Sequence, residues 1–65
     1  MEKELLIQQI EDLKQHCRNL QANIQEALDW GNQGIAMALM DDLQEAESQI
    51  GAKKLFLEEL EQEGQ

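Results

Sequence analysis

His16 and Cys17 are the one imidazole and the one thiol of the chain, and they are neighbours. Adjacent side chains on a helix point about 100° apart, so this pair cannot grip a metal ion without ligands from elsewhere. No second His or Cys exists to supply them. Asp41-Asp42 with Glu45 can place two carboxylates on one helical face. General acid–base work would also need a basic partner and a pocket that excludes water, and nothing near them in the sequence offers either. Ser48 is the sole serine, and there is no Gly-rich phosphate loop and no Ser/His/Asp set. Two helices forming a rod are expected to leave no concave site. The sequence therefore predicts no enzyme, no cofactor and no metal centre. Function must lie in what the chain binds.

Composition narrows the partners. Fourteen acids stand against Lys3, Lys14, Arg18, Lys53 and Lys54, a formal charge of −9. Such a balance repels phosphate backbones, so direct nucleic-acid binding is not expected. An acidic rod can instead occupy a basic protein surface, including one that ordinarily holds nucleic acid, or the acidity serves solubility alone. The longest strictly apolar run, Ile35 to Met40, is far too short to span a bilayer. The amino end, Met1-Glu2-Lys3-Glu4, is acidic and polar, unlike a signal peptide. A lone Cys allows no internal disulfide. These features together predict a cytoplasmic protein with no membrane association.

What would position any binding surface is legible from spacing. From Glu2 to Asp29 the residues Leu6, Ile10, Leu13, Cys17, Leu20, Ile24 and Ala27 recur in alternating steps of four and three, a heptad seam that extends back to Lys3. A second seam reads Ala36, Leu39, Leu43, Ala46, Ile50, Lys53, Leu57 and Leu60. Strands are excluded by this period and by the absence of Val and Thr. Between the seams lies Asp29-Trp30-Gly31-Asn32-Gln33-Gly34, rich in residues that suit a reversal. Gly31 fits a left-handed helix end, and Asn32 fits the N-cap of the next helix.

Folded back there, the seams mirror one another. The facing pairs are Ala27–Ala36, Ile24–Leu39, Leu20–Leu43, Cys17–Ala46, Leu13–Ile50, Ile10–Lys53, Leu6–Leu57 and Lys3–Leu60. The fold class is thus all-α: an antiparallel, coiled-coil-like two-helix hairpin forming a single domain. Its helices are expected over 2–29 and 34–61, with a turn at 30–33 and a frayed tail at 62–65. Lys14 is expected to meet Glu47 across the hairpin. Gly51 and Lys53 disturb the second seam, and a break giving a third short helix from Ala52 to Glu61 is the competing arrangement.

A single seam leaves apolar residues outside it. Leu28, Trp30, Ile35, Met37 and Met40 cluster near the turn, and Leu5, Ile7, Leu55 and Phe56 near the open end. A domain of this size buries only about 60% of its chain surface and is marginal alone. Those nine residues are the expected partner-binding positions. Either two copies complete a four-helix bundle as a homodimer, with the turn end of one against the open end of the other, or the faces receive a protein partner. Trp30 is the expected anchor, or else a cap that packs over Ile35 and closes the hairpin.

The plan resembles two groups of small bacterial proteins. The length, the Gly-containing turn Trp30-Gly31-Asn32-Gln33-Gly34 and the acidic, Leu/Gln/Glu-rich arms are similar to the needle-subunit co-chaperones of type III secretion systems. That resemblance implies an acidic hairpin that joins a helical-repeat chaperone to hold the needle subunit unpolymerised. Small seam layers such as Ala27–Ala36 also look similar to phage- or plasmid-encoded hairpins that dimerise as four-helix bundles and regulate or inhibit a host factor. The RNA-binding member of that group uses basic and aromatic surface residues, from which a charge of −9 departs. Both resemblances are architectural, so no functional residue is carried over. They imply an adaptor, chaperone or inhibitor.

Overall fold

The computed structural model describes residues 2–63. Two helices account for nearly all of them: α1, Glu2–Asp29, and α2, Gln33–Glu63. They pack antiparallel into a hairpin whose Cα atoms span 52 × 14 × 11 Å. The second helix runs without interruption through Gly51 and Lys53, so the competing third helix does not form. It also includes Gln62 and Glu63, placed in the tail on the sequence, while Gly64 and Gln65 lie outside the described residues. One Gly costs about 1 kcal/mol against Ala, too little to break a helix held by a seam on either side of it.

The reversal is built from two caps that share a residue. Gly31 takes a positive φ of 74°. Its N–H donates to Leu28 O at 3.0 Å, and the N–H of Asn32 donates to Ala27 O at 2.8 Å. This pair of bonds is a Schellman ending, which satisfies carbonyls that α1 would otherwise leave open. Asn32 then starts α2. Its carbonyl accepts from Ala36 N–H at 3.1 Å and its side-chain Oδ1 accepts from Ile35 N–H at 3.4 Å, an N-cap.

Between the helices the buried and half-buried positions follow the heptads. On α2 they are Ala36, Leu39, Leu43, Ala46, Ile50, Lys53, Leu57 and Leu60; on α1 the same holds from Leu6 to Ala27, with Lys14 half-buried beside them and Lys3 exposed. Near the turn Ile24, Ala27 and Ala36 form a buried cluster joined by Leu39 and Leu43. Ala36 is 1% exposed, because a layer of methyl groups is roofed by the backbones themselves. Toward the open end Ile50, Leu57 and Leu60 remain half-wet.

Two polar contacts mark the register. Lys53 Nζ donates to Gln9 Oε1 at 3.1 Å, and Lys3 Nζ lies 3.5 Å from Glu61 Oε1. Ile10 is only 4% exposed although its facing residue is Lys53. The lysine stem lies in the seam while its ammonium reaches out to an amide. The expected Lys14–Glu47 pair is absent: Lys14 Nζ instead lies 3.7 Å from Glu11 Oε1, one turn back on its own helix. Exposed pairs of either kind contribute about 0–1 kcal/mol, so rotamer freedom is enough to decide between them.

Candidate protein-binding surface

Positions around each helix follow from the heptad, with Ile10, Cys17 and Ile24 at a and Leu6, Leu13, Leu20 and Ala27 at d. In an antiparallel pair the g positions of both helices border one side of the seam and the e positions border the other. The side chains that border open space sort accordingly.

On the g side three shallow grooves follow one another along the rod. The first, about 370 Å³, lies at the turn between Asn23, Trp30, Ile35 and Leu39. The second, also about 370 Å³, is lined by His16 with Asp42, Glu45 and Gln49. The third, about 230 Å³ at the open end, is made by Glu2, Leu5, Leu6, Gln9 and Phe56. The hairpin is therefore not devoid of concavity, as the sequence led us to expect. Knobs of uneven size along g and c, from Trp30 and Phe56 down to Asn23, leave gaps between them.

The fold also brings a histidine to the carboxylates that lacked one in sequence. His16 shares the middle groove with Asp42 and Glu45, while Asp41 points to the back of α2. All four are exposed, so water screens their charges. Cys17, one residue on, is buried in the seam opposite Ala46. Among the described residues no group of three or more His, Cys, Asp or Glu is placed to hold a metal ion. No helix of the described residues is long and apolar enough to cross a membrane.

Each of the nine outer apolar residues singled out in the sequence is exposed: Leu5, Ile7, Leu28, Trp30, Ile35, Met37, Met40, Leu55 and Phe56. Their grouping differs from the expected division by rod end alone. Leu5, Trp30, Ile35 and Phe56 line the grooved side. Ile7, Leu28, Met37 and Met40 occupy e and b positions on the opposite side, and Leu55 at f faces outward from α2. Trp30 is 81% exposed, so it borders its groove without closing the hairpin. The caps at Gly31 and Asn32 already complete the turn with backbone bonds, leaving the indole free for other contacts.

Charge is sorted by side as well. Glu2, Asp12, Glu26, Asp42, Glu45 and Glu59 sit at g or c on the grooved side, and among the described residues the one cation to reach it is Lys53, tied to Gln9. Lys14, Arg18 and Lys54 all fall at e or b, opposite. Comparison with protein-family models, with curated proteins and with solved structures found no match to this chain.

Proposed function

We propose that the protein is a non-catalytic protein-binding module, an adaptor, chaperone or inhibitor that docks on a protein partner through the apolar side chains flanking its seam. One observation carries this reading. Among the described residues nine large apolar side chains are exposed on a two-helix rod whose core is a single seam. Leaving a large apolar side chain wet forgoes about 1.5–3 kcal/mol of burial, and exposed apolar surface in such excess marks interaction surfaces. Trp30 supplies a rigid anchor, and Met37 with Met40 supply adaptable contact, the mixture that partner surfaces use.

The test is a substitution pair. The tagged chain captures its partner from a lysate of its source cells, and affinities are then measured with the purified partner. Trp30→Ala and Met40→Ala each weaken binding while the circular dichroism of the helices is unchanged. Undiminished affinity in both variants rejects the site. Should changes at Ile7, Leu28 and Phe56 dissociate a homo-oligomer and melt the helices together, the chain is a structural oligomerisation unit instead.

A further inference from the structure

The grooved side combines three features. It has apolar hollows at both ends, Trp30 and Ile35 at one and Leu5 and Phe56 at the other. Between them runs a polar groove edged by Asp42 and Glu45. Along its length Asp12, Glu26 and Glu59 add negative charge, answered among the described residues by Lys53 alone. Leu6 and Ala27, at the floors of the two end grooves, are both d residues three heptads apart, which is about 30 Å of helix.

We infer that this side is the docking surface for a basic amphipathic helix of the partner, which lies along the seam and completes a three-helix bundle; the inference rests on the proposed protein-binding function and names the face and chemistry of that one helix. Met37 and Met40 on the opposite side are left to the partner's remaining contacts. A helix of about 28 residues spans both hollows, placing apolar side chains in each and Lys or Arg against the acids between. Charge complementarity selects that occupant. A second copy would bring the same carboxylates against themselves, and like charges meeting across an interface disfavour that pairing. Nucleic acid is excluded by the same sign. The opposite side, which holds Lys14, Arg18 and Lys54 among its acids, lacks that selectivity.

A synthetic helix of about 28 residues supplies the probe, with Leu at a and d, Lys at e and g and no Trp, alongside a twin carrying Glu for Lys. Trp30 is the only indole in the protein, so its emission reports occupancy of the groove directly. The Lys helix binds one to one, shifts Trp30 emission to the blue and loses affinity as salt rises, and the Glu twin does not bind. Asp42→Lys with Glu45→Lys weakens the complex roughly tenfold, while Asp41→Lys with Glu58→Lys, an identical change of net charge on other faces, alters it no more than about twofold. Anisotropy of a labelled probe shows Phe56→Gln to cost roughly tenfold and Met37→Gln next to nothing.

Equal losses from the two charge pairs would reduce the binding to general attraction and overturn the inference. So would binding of the Glu twin, or a dimer of the free chain that Phe56→Gln dissociates and Met37→Gln does not. If the Lys helix fails while Trp30→Ala and Met40→Ala still weaken the native partner, the inference falls and the proposed function stands. If those two variants are also without effect, both fall.

Discussion

Gly31 and Gly51 show how one residue type acts in opposite senses. Gly31 has a left-handed φ, which an L side chain adopts only with strain, although a Cβ there would meet open space. Gly51 lies inside a regular helix, where an added Cβ would also meet nothing. Gly31→Ala should therefore destabilise by about 1 kcal/mol and Gly51→Ala should stabilise by a similar amount. For a domain of this size each step moves Tm by about 4–8 °C, in opposite directions, in a thermal melt followed by circular dichroism. Shifts of the same sign would mean that the turn at Gly31 is not the one described. Asn32→Ala tests the shared cap in the same experiment. It removes the acceptor for Ile35 N–H and should lower stability by about 0.5–1 kcal/mol.

Between the helices, cohesion is concentrated in the seam. Ile24→Ala empties part of the buried cluster near the turn and should cost about 2–4 kcal/mol, a large fraction of what so small a domain has. Leu55→Ala, at a position 60% exposed, should change stability by less than about 0.5 kcal/mol. Equal effects in chemical denaturation would contradict the assigned register. The seam was readable from sequence because Leu, Ile and Ala there alternate with Glu, Gln, Asn and Lys at a period only a helix pair satisfies. Lys14 was not, since an exposed pair with either Glu11 or Glu47 contributes only about 0–1 kcal/mol and spacing cannot choose between them. The continuity of α2 through Gly51 was left open by spacing, because a local propensity cost and a packing gain of similar size have to be compared. Trp30 could not be placed either. Its exposure depends on the direction in which the Schellman ending projects the residue before Gly31.

For the molecule as a whole, sidedness matters more than length. The nine exposed apolar residues were identifiable one by one, yet their division into a grooved acidic side and a mixed-charge side emerges only when g positions of both helices are brought beside one seam. His16 joins Asp42 and Glu45 for the same reason, through the pairing of segments remote in sequence. A net charge of −9 on so narrow a rod also opposes compactness. Screening should relieve that repulsion, so Tm is expected to rise as NaCl increases from about 10 mM to about 500 mM, over which the Debye length falls from about 30 Å to below 8 Å. A fall in Tm over that range would mean that attractive pairs such as Lys3–Glu61 outweigh the repulsion.

The grooves, the exposed set and the docking side all require the chain to double back at Gly31. Spin labels at Gln8 and Leu55, introduced as cysteines in a Cys17→Ala background, measure that directly by electron–electron double resonance. Both are f positions in facing layers on the outer surfaces of the two helices. The hairpin puts the labels about 20–25 Å apart, the width of two helices side by side. A separation near 70 Å, which one unbroken helix imposes at about 1.5 Å per residue, would contradict it.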